Sequence, residues 1–264
     1  KKHKIHIGLN NSLYLCTHMK AERSINKTFL IILLGILAAI GPFTIDMYLP
    51  GFTQIATEYG TDVSKVAFTL TSYFVGIAIG QLIYGPLVDK YGRKKPLLVG
   101  LAIYALAAIG CGLSYNIESL IVMRLLQALG GCVGMVASNA IISDVYPKEK
   151  RAKAFSMIML VMGVAPVIAP TVGSIFLEMG SWHYIFFFLA AFALFVFTLI
   201  LIFLLETSPY IHTNKLVVKD IARNYLDILK NKTFLFYALA GSISMSILFA
   251  YISSAPFIFQ NLYG

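Results

Sequence analysis

The stretch GPLVDKYGRKKPL, Gly85 to Leu97, sets five charged side chains (Asp89, Lys90, Arg93, Lys94 and Lys95), two glycines and two prolines between two long apolar runs. A hydrophilic turn between helices needs far less. The flanking runs explain the setting. Of the 264 residues 58% are hydrophobic and only 12% charged, and the mean hydropathy is +0.79. Soluble domains carry about 25% charged residues, so this composition points to lipid as the solvent for most of the chain. Crossing a hydrocarbon core of ~30 Å takes roughly 20 apolar residues in a helix, and such runs recur throughout. The alternating segments of about ten residues that build a membrane β-barrel do not occur. The fold class is therefore all-α, a polytopic helical membrane protein embedded in a bilayer.

Seven spans are expected, over residues 28–50, 65–88, 96–115, 117–145, 155–177, 182–205 and 233–259. The end of the first, IDMYLPG, lacks a small-x-small cleavage site, so this run is retained rather than removed as a signal peptide. Lysines and arginines mark the cytoplasmic side of membrane proteins. Here they gather before the first span (Lys20, Arg23, Lys27), in the connector Lys90 to Lys95, at Lys148 to Lys153 and at Lys215 to Lys232, whereas the opposite side carries only Lys65 among Glu58, Asp62, Glu118 and Glu178. This places the N-terminus in the cytoplasm. The net charge of +9 lies in connectors rather than on one face or tail, which argues against nucleic acid as a partner. Cys111 and Cys132 fall inside apolar runs and Cys16 stands alone, so no disulfide framework is indicated. No nucleophile–base pair or metal-ligand cluster appears, and His3, His6, His18, His183 and His212 are scattered; an enzyme is not expected.

The domain reading follows. Residues 1–27 form a cytoplasmic N-terminal segment, 28–206 a six-helix bundle, 207–232 a cytoplasmic linker, and 233–264 the first helix of a second bundle. Met19 opens a natural cytoplasmic start, so Lys1 to His18 read as upstream or added sequence, and the single span after the linker suggests a larger protein cut short. Within the linker Val218, Ile221, Tyr225, Ile228 and Leu229 recur at helical spacing, with Lys219, Arg223, Asp227 and Lys230 elsewhere. That pattern fits an amphipathic helix on the membrane surface, or an ordinary solvated loop helix.

Two charges lie well inside spans, Asp46 in the first and Arg124 in the fourth. Intramembrane charges are costly and face a bundle interior or a water-filled cavity. Asp46 sits ~6 Å short of Pro50, and Arg124 ~10 Å below the outer end of its span, at ~1.5 Å per residue. At such comparable depth the two can share one cavity, with Asp46 as a proton or cation site and Arg124 tuning it electrostatically; the alternative is an interfacial Asp46 with Arg124 as a structural partner. Small residues recur every four positions at Gly76 and Gly80, at Gly130, Gly134 and Ser138, and at Ala165, Ala169 and Gly173, a spacing that lets helices approach closely in lipid. Pro166 and Pro170 each remove a helical N–H and should kink or soften the fifth span.

GPLVDKYGRKK, between the second and third spans, resembles motif A of the major facilitator superfamily. RLLQALGG from Arg124 resembles motif B, and APVIAPTVGS from Ala165 resembles motif C. IDMYLPGF from Ile45, SWHYIFF from Ser181 and SSAPFIFQ from Ser253 are most similar to the Bcr/CflA group of drug–proton antiporters. Two positions depart from the superfamily patterns: Ala128 stands where motif B often has glycine, and motif C reads Ala169-Pro170 and Gly173-Ser174 where Gly-Pro and Gly-Gly are usual. The resemblance implies two six-helix bundles working by alternating access, in a monomer of the bacterial inner membrane. It further implies multidrug efflux against protons, with the proton gradient as energy source and no cofactor; the substrates would be drug-like small molecules. It also implies a central cavity, for which the polar candidates are Asp46, Tyr48, Gln81, Arg124, Gln127 and Asn139. The gate would be built from Gly85, Asp89, Gly92, Arg93, Asp144 and Arg151, with an Arg93–Asp144 ion pair inside the bundle and Asp89 facing the positive end of a helix in the second bundle. Another substrate class of the same superfamily, such as a sugar, amino acid or nucleoside, stays open, as does a non-functional truncated product. A seven-helix receptor or light-driven pump would need an external N-terminus, and such a pump a lysine within residues 233–259; neither fits.

Overall fold

The computed structural model describes residues 26–208 and 218–262. The N-terminal segment before Asn26 and the first part of the linker, including His212 and Lys215, lie outside the described residues. The chain is helical from its first described turn. Helix α1, Lys27–Asp46, starts where the Asn26 carboxamide accepts the Thr28 N–H at 3.0 Å, and it ends at a break. A 3-10 turn, Leu49–Gly51, with Pro50 in it, leads into the short α2, Phe52–Glu58. There follow α3, Val63–Tyr91; α4, Lys94–Gly112; α5, Ile117–Gly131; α6, Val133–Val145; α7, Lys148–Glu178; α8, His183–Phe203; α9, Val218–Lys230; and α10, Lys232–Leu262. Among the described residues, six helical stretches are long and apolar enough to cross a membrane, with α1–α2 and α5–α6 each counting as one.

The expected spans appear with three differences. The first divides into α1, a turn and α2. The fourth is interrupted only at Cys132, whose thiol leans on the Leu129 carbonyl at 3.2 Å. The fifth starts earlier, at Lys148, because Pro147 occupies the N-cap position with extended backbone and the basic residues after it continue the helix beyond its apolar stretch. Helix α7 also runs unbroken through Pro166 and Pro170. The seventh expected span falls on α10, a helix that is not among those six stretches.

Packing follows the small-residue stripes. α3 lies against α5, α4 against both α5 and α8, and α1 against α7. The α4–α5 approach is a main-chain contact: a Cβ on Gly130 would collide with the Tyr104 amide and the Gly100 carbonyl. Two apolar clusters fill the interior. One gathers Leu33, Leu37, Leu97, Ile141 and Val196; the other gathers Met47, Phe52, Leu70, Trp182 and Phe186. Outward-facing side chains stay apolar, with Leu106 70% and Val167 75% exposed, a surface that suits lipid or another helix rather than water.

Polar bonds close each end. At one end the fully buried Trp182 donates from Nε1 to Glu58 at 2.7 Å and stacks on His183, while Gln54 bonds the Trp182 amide and the Gly180 carbonyl, tying α2 to the α7–α8 turn. The same end holds the exposed Lys65–Glu118 pair, a geometry worth little in water. Nearby, Asn116 and Ser119 form a reciprocal capping box that starts α5. Asn116→Ala leaves the Ser119 N–H without its acceptor and is expected to cost about 1 kcal/mol; thermal unfolding in detergent should show a lower midpoint, and an unchanged midpoint would refute the cap's contribution.

Candidate functional site

The break after Asp46 is the polar centre of the bundle. α1 stops four residues before Pro50, which has no N–H to give the Asp46 carbonyl, and four other helices contact the chain around the break. From α5, Arg124 Nη1 donates to the Thr44 carbonyl at 3.1 Å. From α4, the Tyr104 hydroxyl meets Thr44 Oγ1 at 2.5 Å, while Thr44 Oγ1 also reaches back to the Ile40 carbonyl. From α3, Thr69 bonds the Tyr48 hydroxyl at 2.6 Å. From α7, Gly173 presses its backbone against the Met47 carbonyl so closely that any Cβ there would overlap it. Only the Arg124 bond serves the main chain of α1; Tyr104 and Thr69 satisfy hydroxyl groups, and Gly173 allows a close approach, so buried polar groups around the break are paired as an apolar surrounding requires.

Arg124 is 0% exposed. Its guanidinium lies 4.3 Å from the Tyr48 ring centroid, 4.5 Å from that of Tyr73 and 5.6 Å from that of Phe186. Nη1 also donates to Gln127 Oε1 at 2.9 Å, whereas Nε, Nη2 and the Gln127 Nε2 are buried without a hydrogen-bond partner among the described residues. Cation–π attraction is worth ~2 kcal/mol or more when desolvated, and here it stands where a carboxylate would otherwise be required. The sequence leaves two readings, a cavity shared by Arg124 and Asp46 or an interfacial Asp46 with Arg124 as a structural partner. Arg124 is enclosed within the bundle, and among the described residues no ion pair joins it to Asp46. The two residues are linked through the α1 backbone, since Arg124 bonds the carbonyl of Thr44, two residues before Asp46.

The cavity candidates therefore separate. Tyr48, Arg124 and Gln127 are sealed, Asp46 is 5% exposed, and Gln81 and Asn139 are exposed on the bundle surface. In the fifth span Ala165, Ala169 and Gly173 are buried, and Pro166 and Pro170 are half-buried. Tyr73, Tyr104 and Thr44 were missed as partners because an aromatic or a threonine in an apolar run carries no mark of what it faces. A buried arginine in need of π-faces is the one signal that would have pointed to the tyrosines.

The charged connector forms a second cluster, at the basic end. Arg93 is its hub: Nε donates to Asp144 at 2.9 Å, and Nη1 donates to Asp89 at 2.9 Å and to the Val88 carbonyl at 2.8 Å. The expected Arg93–Asp144 pair is thus present. Burial works against the Arg93 charge, but the bonds to Asp144 and then Asp89 outweigh it and raise the guanidinium pKa above its ordinary value. Asp89 spends one oxygen on Arg93 and keeps a side chain 77% exposed, open to a further partner. Arg151 bonds the Tyr146 and Ser143 carbonyls and so closes the end of α6.

Glu206, which the sequence reading passed over, completes this cluster. Its carboxylate accepts the N–H groups of Arg93 at 2.8 Å and Lys94 at 3.1 Å, capping the start of α4, and those of Thr207 and Ser208 beyond α8. Lys94 returns the bond from Nζ to the Leu201 carbonyl at 2.8 Å. Gly92 is required twice over: its φ is +85°, and a Cβ there would strike the Glu206 carboxylate. A lone acid at the end of the sixth span, opposite so many basic residues, was the available clue.

Gly173→Ala sets a methyl against a carbonyl that no side-chain rotation can move. The expected loss is about 1–3 kcal/mol, seen as a lower unfolding midpoint in detergent. Gly134→Ala, which meets the yielding Leu37 side chain at 3.2 Å, serves as the comparison. Equal midpoints for the two variants would remove the clamp on Met47.

The Major Facilitator Superfamily profile matches residues 32–264. The chain is 35% identical to a bicyclomycin resistance protein homolog of Haemophilus influenzae over 90% of its own length and 60% of that protein's. It is 29% identical to the multidrug resistance protein MdtL of Escherichia coli over 86% of its length and 57% of that protein's. The chain thus spans between half and two thirds of the curated relatives it matches. Its fold superposes with a TM-score of 0.69 on a bacterial homolog of the human lysosomal transporter Spinster, in an inward-facing and unoccupied conformation, at 16% identity and covering 90% of this chain and 56% of that one. A six-span bundle with its polar centre at a helix break and its charged connector at one rim is thereby placed: the chain belongs to the Major Facilitator Superfamily.

Proposed function

We propose that this transporter of the superfamily exports drug-like small molecules across a bacterial inner membrane, in exchange for protons and with the proton gradient as energy source. The observation that carries the reading is Asp46. It is a buried carboxylate inside a span, seated at a break in α1 that four other helices contact, and among the described residues it forms no ion pair. An intramembrane acid left without a counter-charge is suited to taking up a proton and releasing it when its surroundings change. Relatives named for bicyclomycin and multidrug resistance support the drug-like substrate class. The lysine and arginine bias supports a cytoplasmic N-terminus and basic rim, which sets Asp46 in the outer half of the bilayer.

On this reading Gln81 and Asn139, exposed on the bundle, face the substrate pathway, and Arg124 acts on Asp46 by fixing the α1 backbone rather than by touching substrate. The gate at the basic rim is the Arg93–Asp144 pair with Asp89 presented outward to a second bundle. The full transporter works as a monomer and needs no cofactor or nucleic acid.

The test uses cells expressing the full-length protein, scored for susceptibility to a broad drug panel with and without a proton uncoupler. Expression should lower susceptibility, the uncoupler should abolish the protection, and Asp46→Asn should bring cells to the level of empty vector while protein abundance is maintained. Protection by Asp46→Asn equal to wild type would eliminate the coupling role, and unchanged susceptibility across the whole panel would eliminate drug export.

A further inference from the structure

Pro86 has no N–H to return to the carbonyl of Leu82, four residues earlier in α3. That carbonyl is bonded from outside the bundle: the Tyr225 hydroxyl of α9, in the linker, donates to it at 2.9 Å. The approach runs over Gly85, where the Tyr225 oxygen lies 3.5 Å from the place a Cβ would take. Among the described side chains of α9 only Ile221 and Tyr225 are partly covered, while Arg223, Asn224, Leu226, Asp227, Ile228, Leu229 and Lys230 are exposed. Among the described residues, the linker helix meets α3 through few side chains, and the hydrogen bond between them falls on the carbonyl that proline frees.

We infer that Leu82, Gly85 and Pro86 form a docking site for the linker helix, with Tyr225 as its anchoring residue. Each of the three α3 positions has a defined part. Pro86 leaves an acceptor open, Leu82 presents it, and Gly85 clears the path for a phenol. Tyrosine suits the task, because an aromatic ring is at home on an apolar surface such as the exposed Leu82 and Ile83 side chains present, while its hydroxyl serves the backbone. A backbone acceptor near lipid gains more from a donor than one in water, so the site favours a hydroxyl-bearing aromatic over phenylalanine. The docked helix is held beside the part of α3 that ends at Asp89, Gly92 and Arg93. This assignment does not rest on the transported substrate or on proton coupling.

Limited trypsin digestion of the full chain in lipid nanodiscs, followed by mass spectrometry, tests the docking. Cleavage after Arg223 requires α9 to leave α3, and cleavage at Arg93 and Lys94 reports whether the bundle itself is intact. Tyr225→Phe should speed cleavage after Arg223 about fivefold, the change expected for one lost net hydrogen bond, with bundle cleavage unchanged. Gly85→Leu, which fills the path, should do the same. Pro86→Ala gives the Leu82 carbonyl a donor inside α3, so adding Tyr225→Phe to it should change cleavage after Arg223 less than twofold. Wild-type cleavage by Tyr225→Phe would overturn the inference. So would a fivefold effect of Tyr225→Phe in the Pro86→Ala background, since the hydroxyl would then be acting on another partner.

Discussion

A helix that ends among apolar neighbours leaves polar groups that need partners and a bend that needs room, and the end of α1 after Asp46 gathers four other helices around both. Arg124, Tyr104, Thr69 and Gly173 come from four different helices and meet within a few residues of one another on the chain they clasp. Motifs B and C, far apart in sequence, therefore act on the same short piece of main chain. The acid at that point is set by its neighbours' grip on the backbone rather than by a facing charge. Arg124 keeps its own charge tolerable through aromatic rings, which leaves Asp46 without a permanent partner. A direct Arg124–Asp46 pair would have satisfied both groups and fixed the carboxylate in its ionised form.

The charged connector answers a different demand. Lysines alone would keep it on one side of the membrane, yet Gly92 and Glu206 show that it is also a built joint. The positive φ at Gly92 turns the chain out of α3 in such a way that the first amides of α4 point at the carboxylate from α8. Arg93 then spans the joint to reach Asp144 at the end of α6. Three helix ends are thereby fixed by two acids and one arginine, while Asp89 holds Arg93 by one oxygen and is otherwise exposed on the rim.

Much of this architecture was legible in the sequence, because lipid enforces long apolar runs and sorts lysine and arginine to the connectors. The Arg93–Asp144 pair was legible too, since both residues stand at the basic end of neighbouring spans and each needs a partner. The break in α1 was legible only in part: Pro50 and Gly51 mark where the helix cannot continue, but the helices that gather around the break leave no mark in the sequence. Enclosure of Arg124 was likewise hidden, as depth along a helix can be counted from residue spacing while the direction a side chain faces cannot. Gly173 read as one of a stripe of small residues, although it alone meets a carbonyl at such short range. Glu206 escaped because a single acid after an apolar span resembles an ordinary end of helix.

The capping between α4 and α8 runs in both directions, Glu206 serving the first amides of α4 and Lys94 the last carbonyls of α8. The Thr207 hydroxyl adds a contact to Asp144 at 3.4 Å, and the Thr207 and Ser208 amides fold onto Glu206 itself. The first residues of the linker are in this way part of the bundle's own rim. Whatever path the linker takes beyond them, it sets out from a fixed pivot whose bearing is given by the third and sixth spans, so a tilt of the bundle swings the linker with it as an arm moves with its shoulder.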